Sequence, residues 1–363
     1  MGSRSSPVSE CDVLIAGAGP AGAAVAIALA ARFRVVVVER APAAPFRYGE
    51  ALAGAALPLI DALGARAAFE AQGHRVWQGN RTVWNGVAGE TDFLTDPLGC
   101  GRHLDRAAFD ALLRNTAALR GAVLRCPARI TEVTREGGGW QARVASGAAS
   151  ETVRAWLLID ATGRAAALAR RLGARLTPSD RLICIWSCSE GAAGGAGFSA
   201  TEATEDGWWY AAPVPDQRRV LAFHTDADLP AARAVRDPVH WPAGARVGVV
   251  AANSAVLEPC AGAGWLAVGD AAAARDPLGA QGLYHALFTA RAAAEAAEDY
   301  LRGARDSLSA YATMIAAGQR AYQQGLAWTY AQERRWPEAP FWRRRREQAR
   351  RYHSKLPASG ASS

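Results

Sequence analysis

Apolar positions in the first forty residues fall in two short runs separated by a stretch of small residues. DVLIA at Asp12–Ala16 and VVVV at Val35–Val38 read as buried strands, and the alanine-rich Ala21–Arg32 between them reads as a helix. Together they predict a βαβ unit. A helical stretch is expected over Ala51–Gln72, broken at Gly64, and then VWQGNRTVWNGVAGETDFL alternates like strands. DRAAFDALLRNTAAL predicts a helix with Asp105 as its N-cap. Short strands follow between Arg125 and Leu158, turning at Gly137–Gly139 and ending in WLLIDATGR, and more fill Leu182–Val250. A last core strand at Trp265–Val268 runs into GDAA. An alanine-rich helix then spans about Gln281–Leu301, and the remainder reads as helical, basic and aromatic. No internal repeat is visible.

This order predicts an α/β chain with a Rossmann-like nucleotide-binding domain, an inserted β-sheet substrate domain and a C-terminal helical segment. The expected boundaries are 9–74, 100–180 and 251–305 for the discontinuous nucleotide domain, and 75–99 with 181–250 for the sheet domain. Residues 306–355 form the helical region and 356–363 a disordered tail.

Composition changes the picture in few places. With 363 residues, half of them apolar, a sizeable core is available. The formal charge of +7 is concentrated in WRRRREQARR at Trp342–Arg351, so it is local and does not call for nucleic acid. Six cysteines without a CxxC pair, and no His/Cys cluster at metal spacing, point to reduced thiols in a cytoplasmic protein without a metal site. No apolar run reaches membrane-spanning length. The N-terminal MGSRSS fits a small polar tail better than a myristoylation signal.

Chemistry enters at GAGPAG. Gly17, Gly19 and Gly22 follow a strand and open a helix, so they allow respectively a tight turn, backbone approach to a pyrophosphate and close helix packing. Glu39 stands about 20 residues beyond Gly19, where a carboxylate meets an adenosine ribose. The choice between NAD and FAD is made by GDAAAARDPLGAQG. Asp270 projects beyond the carboxyl end of a strand, where it can bond a sugar-alcohol chain that FAD has and NAD lacks. Pro277, Gly279, Gln281 and Gly282 lead into a helix whose positive end can face a reduced flavin.

These motifs, with GE at Gly49–Glu50, DRxxFDxxL at Asp105–Leu113 and DATGR at Asp160–Arg164, resemble the FAD-dependent monooxygenase and halogenase superfamily. Its fold is that of para-hydroxybenzoate hydroxylase. The resemblance implies that Arg106 contacts the FAD pyrophosphate region, Asp270 the ribityl chain and the Pro277–Gly282 loop the isoalloxazine edge, with Arg102 a weaker candidate. GWWYAAPVP, DPLxxQGL and the C-terminal RW and FW pairs are similar to the flavoproteins that modify tryptophan during maturation of peptidyl tryptophylquinone cofactors. Two departures matter. The only lysine is Lys355 and WxWxIP is absent, which disfavours halogenation. DATGR replaces the aspartate-glycine motif of the phenol hydroxylases, leaving open whether NAD(P)H reduces the flavin directly or a separate flavin reductase does.

The resemblance therefore implies a monooxygenase that uses O2, through a flavin C4a-hydroperoxide, to hydroxylate an indole-type group on a small molecule or a Trp-containing peptide or protein. An FAD-dependent oxidase, dehydrogenase or reductase is the alternative, and a halogenase a third. Glu50 and Asp276 are the acid/base candidates. His103 and His285 read as structural. Trp186, Trp208 and Tyr210 are candidate substrate surfaces or core aromatics of the β-layer. Trp208 and Trp209, as strand neighbours, must face opposite sides. The basic tail either docks an acidic partner or covers the FAD domain as a solvated helix.

Overall fold

The computed structural model describes residues 8–43, 48–190 and 197–353; the MGSRSS segment and the 356–363 tail lie outside them. Its first sheet is built on five parallel strands in the order Trp265–Ala267, Ala149–Asp160, Val8–Ala16, Val35–Val38, Val123–Arg125. Leu14, Ile15, Val35, Val37, Leu158 and Ile159, consecutive or alternate positions that point to both faces, are all buried, so the sheet is covered on both sides at its carboxyl end, while the N-terminal part of Ala149–Asp160 alternates buried with exposed positions. Helix Pro20–Leu29 runs between Arg106–Leu119 and Gly282–Leu301. Its alanines and Gly22 admit both neighbours at close range. Two antiparallel strands, Arg129–Glu136 and Gly139–Ser146, extend this layer from the N-terminal half of Ala149–Asp160.

A second sheet of seven strands has the order Val247–Ala251, Leu182–Glu190, Arg218–Asp226, Gly207–Val214, Phe198–Thr204, Gly79–Trp84, Val87–Asp92. Its neighbours are antiparallel except for Phe198–Thr204 beside Gly79–Trp84. The strand alternation places Trp208 with Cys184 and Ala222 on one face and Trp209 with Phe223 and Trp241 on the other, as the period of two requires.

Three local expectations change. Ala51–Leu52 is a short strand, and the helical stretch begins only at Leu57, as Leu57–Ala62 and Arg66–Glu70 either side of Gly64 at φ +66°. Arg75–Trp77 pairs with Gly101–His103 in a three-stranded sheet and not with the large sheet. The C-terminal helix Pro340–His353 covers the seven-stranded sheet, not the FAD layer: Phe341 and Trp342 are buried against Leu182, Ala203 and Trp208. Nor is its inner face solvated. Arg345 is 4 % exposed and lies 2.7 Å from Asp226, while Arg344 contacts Asp226 and Asp228.

Candidate functional site

The nucleotide loops leave the carboxyl ends of two parallel strands, Val8–Ala16 and Trp265–Ala267, that flank Ala149–Asp160. Gly17 adopts φ +102° and a side chain there would collide with the Ala161 carbonyl; one at Gly22 would collide with the Gly17 carbonyl. A side chain at Gly19 would meet nothing within 4 Å, so the backbone there is open to a ligand. Glu39 accepts N–H bonds from Ala18 and Ala41, both at 2.8 Å, and Arg114 stands 3.7 Å away while donating to the Ala18 carbonyl. Glu39 thus fixes the glycine loop as well as standing where the ribose is expected.

At the second loop Gly269 turns at φ +61° and its N–H donates to Thr289. Asp270 follows with 35 % of its side chain open. The surrounding protein still raises its pKa, against the opposing pull of Arg164, Arg106 and Arg275. Asp276 caps the Pro277–Gly279 turn through Leu278 N–H, Ala280 is left-handed at φ +49°, and the long helix starts at Gly282 with Gln281 preceding it. The Gln281 side chain accepts a bond from Arg275, whose guanidinium lies over the Tyr322 ring. An open glycine backbone, a helix N-terminus and a part-open carboxylate at the strand ends together fit FAD.

Arg106 is engaged in two directions: it forms a bidentate pair with Asp110 and donates to the Gly49 carbonyl at 2.8 Å. Through Gly49 it fixes Glu50. The guanidinium of Arg102, by contrast, is taken up by Glu70 and by the carbonyls of Cys100 and Gly101. His103 and His285 are buried, and burial lowers the pKa of each to about 3, so both are neutral packing groups.

The two candidate acids occupy opposite ends of one aromatic belt. Glu50 is buried and accepts from Tyr210 Oη at 2.9 Å; burial raises its pKa against the pull of that bond and of Arg106. Asp276 accepts from Tyr330 Oη at 2.8 Å, and burial, helped by Asp180, raises its pKa to about 7. Trp208 donates its indole N–H to Tyr330 and stacks on His224 with ring centroids 3.5 Å apart; His224 in turn bonds the Tyr48 hydroxyl. Trp208 is 1 % exposed, so its ring is sealed inside this belt, whereas Trp186 and Tyr210 are only half-buried. Leu278, from the loop after Asp276, packs against the same cluster. Asp110, Tyr48, His224 and Tyr330 were not among the expected site residues. Only Asp110 carried a signal, the i, i+4 spacing from Arg106.

The two glycine loops and the carboxylate between them define an FAD-binding oxidoreductase of the halogenase and hydroxylase class. Residues 10–221 match the family model described as FAD binding domain, and the chain belongs to that family. It is 25 % identical over 364 residues to LodB of Marinomonas mediterranea, a candidate FAD-dependent oxidoreductase, covering 92 % of this chain and 96 % of that one. It is 28 % identical to the tryptophan 2-halogenase of Chondromyces crocatus over 83 % of this chain and 64 % of the relative, which is the longer protein. Among solved structures, the peptidyl tryptophan dihydroxylase QhpG aligns with a TM-score of 0.75 and 27 % identity over 93 % of this chain and 79 % of its own. Among the described residues no helix is long and apolar enough to cross a membrane, and no group of His, Cys, Asp or Glu is arranged to hold a metal.

Proposed function

We propose that this protein is an FAD-dependent monooxygenase that hydroxylates an indole-type ring, with peptide-bound tryptophan as the substrate class. The observation that carries this reading is that Trp186 and Tyr210 of the sheet and Leu278 of the flavin loop pack against one buried cluster, with Glu50 bonded to Tyr210 and Asp276 to Tyr330 beside it. Bound FAD supplies the redox chemistry, with O2 as co-substrate and electrons from NAD(P)H or a separate flavin reductase. Gly17, Gly19, Gly22 and Glu39 hold its adenosine diphosphate end, Asp270 its ribityl chain, and Pro277, Gly279, Gln281 and Gly282 its ring edge. Arg106 keeps Gly49 and Glu50 in register with that loop.

The protein's own contribution is binding, orientation and proton handling. Trp186 and Tyr210 offer ring faces to a planar substrate. Tyr330 directs its hydroxyl hydrogen to Asp276 Oδ2 because its oxygen already accepts from Trp208, so Asp276 is held as an acceptor that changes charge near neutral pH. Glu50, buried, holds its proton more tightly than a free glutamate although the Tyr210 bond pulls the other way. The similarity to QhpG supports the peptide-bound substrate; the absence of lysine before Lys355 supports hydroxylation over halogenation.

The test supplies reduced flavin, O2 and a Trp-containing peptide to the FAD-loaded protein. A 16-dalton gain on tryptophan is expected. A mass change that requires bromide or chloride instead establishes the halogenase reading, which the tryptophan 2-halogenase relative favours. Loss of two hydrogens without oxygen establishes the dehydrogenase reading.

A further inference from the structure

In one register row of the seven-stranded sheet, Trp186 stands opposite Ala222 and Ala222 opposite Tyr210. Two large rings on the outer strands and a methyl on the middle one leave a slot, with the outer strands about 10 Å apart. The slot is not filled by the sheet itself. The Tyr48 ring, from the segment just before Gly49, enters it. Its centroid is 6.1 Å from Trp186 in a stacked arrangement, 6.4 Å from Tyr210 edge-on, and 5.8 Å from His224. Its hydroxyl reaches His224 Nε2 at 3.1 Å, and Leu278 of the flavin loop belongs to the same cluster.

We propose that this slot is the ring-binding subsite of the enzyme, and that Tyr48 is a resident stand-in which the substrate ring displaces. The inference rests on reading the chain as an aromatic-ring oxygenase and specifies where that ring sits. A six-membered ring with a hydroxyl at its far edge already satisfies the site, which identifies the ligand class: a planar ring of phenol or indole width carrying an O–H or N–H. His224 is buried and neutral, and with its proton on Nδ1 it accepts that donor at Nε2. Tyr48 then sets specificity by competition: only a ring that stacks at least as well and replaces the bond to His224 displaces it. Apparent affinity is reduced by the fraction of molecules in which the slot is filled.

The probe is 3-methylindole, the tryptophan side chain, titrated into the FAD-loaded protein carrying 3-fluorotyrosine at position 48. The expected result is a shift of the position-48 fluorine resonance from its buried to its solvent-exposed value as the probe binds. Tyr48→Ala should bind the probe about tenfold tighter or better, and Ala222→Leu added to it should abolish the gain by filling the slot. Binding to the unsubstituted sequence with an unmoved resonance overturns the inference while leaving the oxygenase reading intact. That holds even if Tyr48→Ala binds more tightly, because a cavity cut into any core takes up small aromatics. Binding to neither protein removes the aromatic-substrate reading together with the inference. The fluorine measurement needs no destabilising substitution, so it decides the matter even if Tyr48→Ala fails to fold.

Discussion

Asp276→Asn tests how deeply the second acid is embedded. Its carboxyl is raised from 3.8 to about 7, about three pKa units at 1.36 kcal/mol each, so ionising it inside the fold costs about 4 kcal/mol relative to ionising it in the unfolded chain. The sign follows from proton counting. Between about pH 4 and pH 7 the folded chain holds a proton that the unfolded chain has released, so this group's contribution to stability is intact below pH 4 and is lost as pH rises through 7. Asparagine removes that dependence and keeps the acceptor for Leu278 N–H, but weakens the Tyr330 bond by about 1.5 kcal/mol. Near pH 4 the original protein should therefore be the more stable by about 1 kcal/mol, and at pH 8 the variant by about 3 kcal/mol. Urea unfolding of both proteins with excess FAD, from pH 4 to pH 8, measures the difference. A difference that stays flat across this range refutes the assignment of a neutral-range pKa to Asp276.

Asp270→Ala should weaken FAD binding at least tenfold, read from flavin absorbance after gel filtration, while moving apoprotein stability by under about 1 kcal/mol, since its side chain is part-open. The second and third glycines should separate: Gly22→Ala forces a methyl into the Gly17 carbonyl and should lower the thermal midpoint of the apoprotein, whereas Gly19→Ala should leave that midpoint alone and reduce only flavin content. Arg345→Ala removes one of the two guanidinium partners of buried Asp226, leaving Arg344 on its other oxygen, and should cost about 1.5–3 kcal/mol in urea unfolding; exposed Arg343→Ala should cost under about 0.5 kcal/mol.

What was legible in the sequence is what local spacing encodes. Gly17, Gly19 and Gly22 must follow a strand and precede a helix, Asp105 must precede an amphipathic run, and Asp276-Pro277 must open a turn; each of these acts within a few residues and appears where expected. The aromatic belt was not legible, because its members come together only through tertiary packing. Tyr48 meets His224 across 176 residues and Trp208 meets Tyr330 across 122. Period-two reasoning separated Trp208 from Trp209, yet could not tell that a C-terminal helix would seal the Trp208 side. The same limit explains the helix itself: a run of arginines reads as solvated until its carboxylate partners, Asp226 and Asp228, arrive from another layer.

That helix ties charge to chemistry. Arg344 and Arg345 are matched by Asp226 and Asp228, so the most basic segment of the chain has its inner charges neutralised within the fold and is not, on that face, a docking surface. Arg345 lies 3.7 Å from the centroid of the Phe341 ring and 5.4 Å from that of Tyr330, the tyrosine that holds Asp276. Its positive charge draws the Asp276 pKa down while burial and Asp180 drive it up. The last helix thus adds, through Arg345, to the larger downward pulls that the Leu278 N–H and the Tyr330 hydroxyl exert on Asp276. A chain lacking that helix would lose both the lid over Trp208 and this counter-charge, leaving the Leu278 N–H and the Tyr330 hydroxyl as the groups that favour the Asp276 carboxylate.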